Sequence, residues 1–396
     1  MLAELRGRAG RILADWSLPA EARAERSRDR RGLGDADMGP AAAVSETMRW
    51  LERAQDHSRT ADGGVARHYS LVDGWASSYP ETTGYIVPTF IDFAQRTGNE
   101  LYLARARRML DWLVGIQFPE GGFQGGLVDS LPRVPVTFNT GQILFGLAAG
   151  TSAFGTAYSE PMHRAAKWLV DTQDRDGCWR RHPTPFAAKG EKAYETHVAW
   201  ALLEAAKISN ERLYADAALR NVSWALTKQA QNGWFADCCL SDPLRPLTHT
   251  IGYVLRGINE AYAFTHSANL LAAAELTASA LANAQRSDGS LPGRLDATWK
   301  GSGDWTCLTG TVQVAHCWLQ LFRWTHNDRY RNAALRANRF VRRTLHTDGS
   351  PDARGGVKGS FPVDAEYGTY QFLNWAAKFF VDSNLLEQDV HSANQG

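Results

Sequence analysis

Residues 112–123 read WLVGIQFPEGGF, and the same pattern of a Trp, a Gln five positions later and a Gly-containing turn recurs along the chain. The pair is complete in four copies, whereas a fifth keeps only the Gln and a sixth only an aromatic residue: Trp50/Gln55, Trp112/Gln117, Trp168/Gln173, Trp224/Gln229, Gln285 and Phe340. Successive copies start 56 to 62 residues apart. Self-similarity at a nearly fixed period indicates a repeat architecture of six units.

Each unit is predicted to be a helix, a long loop, a second helix and a tight turn. In the second unit, Tyr102 to Gln117 has apolar residues at helical spacing on one face, and Pro119 and Gly121 end the helix. The later segment Thr140 to Phe154 is almost entirely apolar, so it must be buried on all sides. The amphipathic helix of each unit is therefore predicted to be outer and the apolar helix inner.

Six such pairs are predicted to close into an all-α (α/α)6 toroid of six helix hairpins, because six inner helices can enclose one axial core. An open solenoid would need polar caps at both ends, yet the last inner segment, Tyr370 to Phe380, is among the most apolar. We place the toroid at residues 43–385. Residues 1–42 are predicted to be an N-terminal extension with a leading helix and a link, and residues 386–396 a C-terminal tail.

The composition argues against several classes of protein. A net charge of +1 gives no electrostatic reason to expect nucleic acid or a membrane surface as a partner. No apolar stretch is long enough to cross a membrane, and residues 1–16 lack the apolar core of a signal peptide. Five cysteines without framework spacing suit a reducing compartment, so we expect a cytoplasmic protein. Motifs for phosphate binding or a serine nucleophile do not occur, and we predict no cofactor.

The six long loops are predicted to lie on one face of the toroid, where the inner helices also begin. Helix N-termini present free N–H groups and the positive end of the helix dipole, so this face favours an anionic ligand. Aligned helix starts give six positions, most of them polar: Thr82, Asn139, Glu195, His249, Leu308 and Glu366. Thr and Asn are good helix caps, whereas Glu and His are poorer caps, which favours a functional interpretation for the latter.

Glu195 and Glu366 belong to the third and sixth units, which face each other across a six-membered ring. We therefore expect both carboxylates to point at the axis, with a gap between them that suits a sugar ring and a water molecule. Tyr253 lies one helical turn below His249, and Glu81 is a third carboxylate at the mouth. A set of His, Tyr and Glu in a cleft is what proton abstraction and donation require.

Aromatic and basic residues of the long loops suit a sugar, in particular an acidic one. Phe123, Trp179 and Trp234 take the same position in their repeats, so we interpret them as structural. Trp residues that do not repeat are better candidates for ligand contact. Asp304 or Glu81 is also able to replace either principal carboxylate. The predicted substrate-binding residues are Trp75, Asn139, Gln142, Arg180, His197, Trp299, Asp304, Trp305, Lys358, Tyr367 and Tyr370.

Several stretches resemble a bacterial protein group: PETTGYIVPT at residues 80–89, NTGQ at 139–142, HTIGY at 249–253, CLTG at 307–310, GGVKGSFP at 355–362 and NWAAKFF at 374–380. Members of that group are toroids of the six-hairpin glycosidase kind, associated with surface-polysaccharide biosynthesis and often described only as prenyltransferase-like. The resemblance covers about residues 43–382 and implies that fold and that biological setting. It carries no catalytic assignment, and Asn139 stands where the group would have Asp.

The leading hypothesis is a glycan-active enzyme that binds an acidic sugar or oligosaccharide at the mouth of the toroid. Glu195 and Glu366 would be acid and base, assisted by His249 and Tyr253. Hydrolysis needs two carboxylates, whereas epimerisation or elimination at a uronic acid needs proton abstraction, and both reactions stay open. The alternatives are a non-catalytic glycan-binding or scaffold protein and a zinc-dependent toroid acting on thiol or prenyl substrates. We predict no metal, because no Cys or His pair has zinc-ligand spacing.

Overall fold

In the computed structural model, which describes residues 18–393, six outer helices alternate along the chain with six inner helices. A first helix, α1 (Ala20–Arg30), precedes them. The outer helices are α2 (Gly39–Asp56), α4 (Glu100–Ile116), α6 (Ser159–Thr172), α8 (Arg212–Leu226), α10 (Ala268–Ala284) and α12 (Asp328–Arg342). The inner helices are α3 (Pro80–Thr97), α5 (Thr137–Phe154), α7 (Thr196–Ser209), α9 (Thr248–Thr265), α11 (Leu308–Thr325) and α13 (Asn374–Ala393). Each inner helix contacts the next, and α13 contacts α3, so the predicted (α/α)6 toroid is confirmed.

The repeated Gln joins neighbouring units. Gln117 donates from Nε2 to the carbonyl oxygen of Gly121 in its own turn (2.9 Å) and to that of Pro161 in the next outer helix (3.0 Å). The same two kinds of contact are made in other units by Gln55, Gln173 and Gln285. Because buried carbonyl groups need hydrogen-bond partners, each Gln satisfies two of them and ties its turn to the following helix.

The glycine of the repeated turn is required by its backbone conformation and by close packing. Gly177 has a φ of 98°, and a Cβ there would lie 2.4 Å from the carbonyl oxygen of Arg220 in the next outer helix. Gly289 repeats the arrangement, with a φ of 95° and a distance of 2.3 Å to the carbonyl oxygen of Arg336. A larger residue would strain the backbone and push neighbouring units apart.

The inner helices α3 and α5 pack with their backbones in direct contact. A Cβ on Gly84 of α3 would lie 2.3 Å from the Cα atom of Ile143 in α5. A Cβ on Gly146 of α5 would lie 2.5 Å from the carbonyl oxygen of Gly84. Leu144 and Leu147 of α5 are completely buried. The absence of a polar face in this segment therefore predicted its central position correctly.

Two small antiparallel sheets, which the sequence did not predict, join the long loops. One contains β1 (His68–Ser70), β2 (Gly74–Trp75) and β6 (Gln371–Leu373) in the order β2-β1-β6, with the central β1 paired to both neighbours. The other contains β3 (Pro292–Leu295), β4 (Gly301–Cys307) and β5 (Ser360–Phe361) in the order β3-β4-β5. The first sheet connects the loop of the first unit to that of the last. Backbone hydrogen bonds thus close the ring together with helix packing.

The two ends of the toroid differ from the predicted boundaries. α2 begins at Gly39, and α13 continues to Ala393 through most of the predicted tail. In the predicted extension, α1 packs on the toroid through the buried Lys358, whose Nζ lies 2.5 Å from both Glu25 Oε1 and Asp29 Oδ1. The part of the extension before residue 18 lies outside the described residues. No helix between residues 18 and 393 is long and apolar enough to span a membrane.

Candidate functional site

A cavity of about 400 Å³ lies on the toroid axis, at the end where the inner helices begin. We call it the N-terminal cavity. Four inner helices contribute Glu81, Tyr85, Phe138, His249, Thr250, Tyr253 and Trp375 to its wall. The loops contribute Arg67, His68, Tyr79, Gly126, Leu127, Ser130, Thr184, Phe186, Tyr194, Leu240 and Tyr367. The predicted site residues Glu81, His249, Tyr253 and Tyr367 are thus brought together, and the other predicted residues lie elsewhere.

Glu81 is the one carboxyl group of the described chain that lines the N-terminal cavity. It lies in the first turn of α3, directly after Pro80, whose fixed φ suits a helix start. The Tyr79 hydroxyl donates to Glu81 Oε2 at 2.8 Å. Burial raises the pKa of Glu81 to about 7, against the opposing effects of the Tyr79 hydrogen bond and the Arg67 charge. At neutral pH a large share of Glu81 therefore keeps its proton and is able to act as an acid.

His249 has the properties of a base. It is the second residue of α9, is 6% exposed, and its Nδ1 lies 2.7 Å from Gln313 Oε1. Because an amide oxygen accepts hydrogen bonds, this contact places the proton on Nδ1 and leaves a lone pair on Nε2. Burial lowers the pKa of His249 to about 4, although the Gln313 hydrogen bond opposes the shift. The ring is therefore neutral at pH 7 and ready to accept a proton.

Among residues 18–393, Arg67 is the one cationic side chain that lines the N-terminal cavity. No carboxylate of these residues forms an ion pair with Arg67. Its guanidinium lies over the Trp375 ring, 4.9 Å from the ring centroid. Its Nη1 donates to His68 Nδ1 at 2.9 Å. Burial, followed by the Arg67 charge, lowers the pKa of His68 to about 3. The cavity therefore offers an unpaired positive charge beside a neutral imidazole, which suits an anionic ligand.

Three tyrosines complete the polar wall. Burial raises the pKa values of Tyr85, Tyr253 and Tyr367 well above 10, so their hydroxyl groups are neutral donors. The Tyr367 hydroxyl accepts a hydrogen bond from Trp375 Nε1 at 2.8 Å. The Tyr253 ring lies against that of His249, with 4.4 Å between centroids. The buried Tyr85 hydroxyl lies near that of Tyr253, but it has no hydrogen-bond partner of normal geometry among the described residues.

The expectation that Glu195 and Glu366 face each other across the axis is wrong. Glu195 ends a single 3-10 turn, Ala193–Glu195, that directs Tyr194 rather than Glu195 into the cavity wall. Glu195 is 4% exposed, and its Oε2 has no hydrogen-bond partner in the described chain. Burial raises the pKa of Glu195 well above its ordinary value. The third unit thus contributes a tyrosine at the position where a carboxylate was expected.

Glu366 is also outside the cavity, because the helix start of the last unit was placed too early. α13 begins at Asn374, and strand β6 lies between Glu366 and that helix. The Glu366 side chain is 53% exposed and pairs with Arg294, at 2.5 Å between Oε1 and Nη2. The correct equivalent in the sixth unit is Trp375. It is the second residue of its helix, as Glu81, Phe138 and His249 are of theirs, and all four line the cavity.

Most of the predicted substrate-binding residues have structural partners instead. Gln142 is fully buried and binds His197, and Asn139 is 1% exposed. The three non-repeating Trp residues lie in the loops and do not line the cavity: Trp75 packs on Trp50, Trp299 on Trp234, and Trp305 on Gly293.

The predicted basic residues form ion pairs within the protein. Arg180 pairs with Asp174, Asp176 and Glu191, and Lys358 pairs with α1. Asp304 is exposed on β4, and Tyr370 adopts a φ of 58° before β6.

Arg67, His68 and Tyr194 are cavity residues that the sequence interpretation missed. Arg67 and His68 lie at β1, which has no counterpart in the repeat, so no alignment of units points to them. Tyr194 is adjacent to a predicted residue, and a shift of one position in the third helix start would have found it. Within residues 18–393, no group of three or more His, Cys, Asp and Glu side chains is arranged to hold a metal ion.

Comparisons with known proteins agree with this architecture. A cellobiose 2-epimerase from Spirochaeta thermophila superposes with a TM-score of 0.71 and 15% identity, covering 95% of this chain and 99% of the epimerase. The chain is therefore similar in fold to six-hairpin glycosidase-like toroids. An unsaturated glucuronyl hydrolase from Bacillus sp. GL1 (TM-score 0.70, 13% identity, 87% of this chain and 96% of the hydrolase) has the same fold. An α-mannanase from Bacteroides thetaiotaomicron also shares it (0.62, 12%, 92% and 98%).

Sequence comparison adds a match within the toroid. Residues 98–257 match the squalene-hopene cyclase C-terminal domain family. No protein of curated function matches the chain in sequence. The structural neighbours are glycan-active enzymes, but at identities of 15% or less they establish the fold of this toroid and not its reaction.

Proposed function

We propose that this toroid is an enzyme that acts on an acidic sugar or oligosaccharide by removing a proton from carbon. The observation that supports this most directly is the composition of the N-terminal cavity. It combines a neutral imidazole with an available lone pair, His249, and a carboxyl group that keeps its proton, Glu81. An acid and a base whose pKa values are shifted in opposite directions suit general acid-base catalysis. The epimerase and the glucuronyl hydrolase among the structural neighbours are named for sugar substrates.

His249 and Glu81 lie on opposite walls of the cavity. They are carried by α9 and α3, which are three positions apart in the ring of six inner helices. A sugar ring between them would therefore have the base on one side and the acid on the other. The sequence predicted that the catalytic residues of the third and sixth units would face each other, whereas the proposed acid and base belong to the first and fourth units.

The first step would be transfer of the proton on the carbon next to a sugar carboxylate to His249 Nε2. The electron pair of the C–H bond would move into the carboxylate, which Arg67 would bind and stabilise. In epimerisation, Glu81 would return a proton to the same carbon from the opposite face. In elimination, the neighbouring C–O bond would break as the C=C bond forms, and Glu81 would protonate the leaving oxygen. Both routes balance without an external oxidant or reductant.

Hydrolysis by a pair of carboxyl groups receives less support from this cavity. Glycosidases of that type need two carboxyl groups about 5 to 9.5 Å apart at the scissile bond. Glu81 is the one carboxyl in the wall among residues 18–393, while Glu195 is buried behind it and Glu366 is held by Arg294. The reaction class is therefore better matched by proton transfer at carbon.

The decisive experiment is incubation of the purified protein with a panel of acidic and neutral bacterial oligosaccharides in deuterated water, followed by NMR and mass spectrometry. We expect either deuterium and an inverted centre at the carbon next to a carboxylate, which would be epimerisation, or a new C=C bond at that carbon, which would be elimination. Cleavage that gives neither deuterium at carbon nor a new C=C bond would instead indicate hydrolysis. Binding of a glycan without any product would favour the non-catalytic, glycan-binding alternative. Either result would overturn the proposed reaction.

Matched variants connect the reaction to the cavity. Glu81→Gln and His249→Gln should each lower the rate about 10²- to 10⁴-fold, the usual contribution of a general acid or base. Glu195→Gln and Glu366→Gln make the same chemical change outside the cavity and should leave the rate close to that of the unmodified protein. Equal losses in all four variants would show that the assignment of Glu81 and His249 is wrong.

We also propose that the reaction belongs to surface-polysaccharide biosynthesis in the cytoplasm. The resemblance of residues 43–382 to toroids of such loci supports the setting. The five cysteines are all unpaired and buried, which agrees with a reducing compartment. Deletion of the gene should change the sugar composition of the cell surface, and restoration of the Glu81→Gln protein should not reverse the change. An unaltered surface after deletion would contradict this setting.

A further inference from the structure

A second cavity, of about 510 Å³, lies at the opposite end of the toroid axis. We call it the C-terminal cavity, because the inner helices line it with residues further along their length. All six inner helices contribute, among them α7 with His197 and Trp200, α9 with Arg256 and α13 with Lys378. Among residues 18–393, Tyr85 is the one residue that lines both cavities. A volume of this size is within the range of small-molecule sites.

His197 indicates that the C-terminal cavity is built to bind a hydrogen-bond donor. Its side chain is 1% exposed, and Nδ1 lies 2.8 Å from Gln142 Oε1, which places the proton on Nδ1. Nε2 is buried and has no partner among the described residues. A buried acceptor without a partner destabilises the folded state, and a ligand hydroxyl that donates to Nε2 would remove that cost. Nε2 can only accept, because burial, followed by the charges of Lys378 and Arg256, lowers the pKa of the ring well below its ordinary value.

The wall also offers hydrogen-bond donors. Lys378 is 3% exposed, and its ammonium group carries three protons. It donates one of them to Asp382 Oδ2 at 2.5 Å. The Arg256 side chain binds Glu260 through Nε at 2.7 Å, and its two terminal nitrogens have no hydrogen-bond partner in the described part of the chain. Its guanidinium lies over the Trp200 ring, 4.1 Å from the centroid. Buried donors and a buried acceptor thus face one space beside aromatic surface.

The charges of the wall select a neutral ligand. Four basic and four acidic side chains line the cavity, so its formal charge is zero. Each of the four acidic groups already has a basic partner within 3 Å: Asp92 and Asp389 share Arg96, Asp382 has Lys378, and Glu204 has Lys207. An anion or a cation would add an unbalanced charge to this set, whereas a hydroxyl group both donates and accepts.

We propose that the C-terminal cavity is a binding site for a neutral polyhydroxylated molecule of monosaccharide or disaccharide size. One hydroxyl would donate to His197 Nε2, and others would accept from Lys378 and Arg256. The site is separate from the one where we place the reaction, and the inference does not depend on that reaction.

The test uses bulky residues that fill one cavity at a time. Ser152 is exposed on α5 and lines the C-terminal cavity, so Ser152→Trp should block it without disturbing the core. Ala153 is the exposed neighbour that lines neither cavity, and Ala153→Trp is the matched control. Ser130→Trp blocks the N-terminal cavity in the same way. Binding of glucose, galactose, mannose and their disaccharides is measured by saturation-transfer NMR, with circular dichroism as the check on folding.

We expect at least one of these neutral sugars to bind the unmodified protein, Ala153→Trp and Ser130→Trp, and not Ser152→Trp. A sugar signal that is lost in Ser130→Trp and retained in Ser152→Trp would overturn the proposal, since the sugar would then occupy the other cavity. The absence of any signal from the unmodified protein would also overturn it. If Ser152→Trp does not fold, Lys378→Met serves instead and should weaken the sugar at least about tenfold, as loss of a charged hydrogen bond does. Unchanged affinity in that variant would refute the assignment.

Discussion

Replacement of Glu81 by Gln should make the toroid more stable at alkaline pH. Glu81 is held in the wall of the N-terminal cavity, where removal from water raises the pKa of its carboxyl to about 7 from an ordinary value of 4.5. A carboxyl group whose pKa is higher in the folded state stabilises that state only while it is protonated. The stability is therefore fully present below pH 4.5 and is lost as the pH rises through 7. Glutamine is neutral at every pH and keeps an acceptor for the Tyr79 hydroxyl.

The size of the effect follows from the two pKa values. At about 1.4 kcal/mol per pH unit, ionisation of Glu81 costs the folded state up to about 3 kcal/mol relative to the unfolded chain. Part of that cost is already present at pH 5, where the unfolded chain is mostly ionised. The gain in free energy of unfolding of Glu81→Gln over the unmodified protein should thus increase by about 2 to 3 kcal/mol between pH 5 and pH 8.5.

Urea unfolding followed by circular dichroism at both pH values measures this gain, and comparison of two proteins at each pH cancels the other titrating groups. Glu366→Gln is the control, because it removes an ion pair with Arg294 on a half-exposed side chain and should bring no alkaline gain. A difference between Glu81→Gln and the unmodified protein that does not change with pH would refute the burial argument. Because Glu81→Gln should also lose most of its activity, its stability and its activity should change in opposite directions.

Four further predictions concern catalysis and the repeat. The dependence of kcat/KM on pH should be bell-shaped, rising through about 4 as His249 loses its proton and falling through about 7 as Glu81 loses its own. His249→Gln should abolish the rise of kcat/KM on the acidic side of this profile and should also remove most of the activity. Arg67→Met should raise KM for a uronic acid about 10- to 100-fold and leave its methyl ester nearly unaffected, as expected for loss of a charge-assisted hydrogen bond. Gly289→Ala should lower the free energy of unfolding by about 2 kcal/mol or more in urea titration, because its φ of 95° and the nearby Arg336 carbonyl leave no room for a Cβ.

The sequence determined the architecture because the repeat records local requirements. In four of the six units the Gln bonds within its own turn and to the next outer helix, as at Gln117, and the turn glycine faces the neighbouring backbone, as at Gly177. These contacts recur at a fixed period, so the pattern reveals both the unit and its neighbour. The all-round apolar segment that became α5 likewise required burial. From six such units the closed ring could be predicted.

Only the tertiary structure decided which side chains meet in the cavity. A shift of one position at a helix start rotates a side chain by about 100°, which is enough to exchange Tyr194 for Glu195 at the cavity wall. In the last unit, β6 delays the helix by several residues, so Trp375 takes the place expected for Glu366. Arg67 reaches the axis because β1 pairs with β6, a contact between residues about 300 positions apart. Periodicity carries no information about such pairings, and the chemistry of the site depends on them.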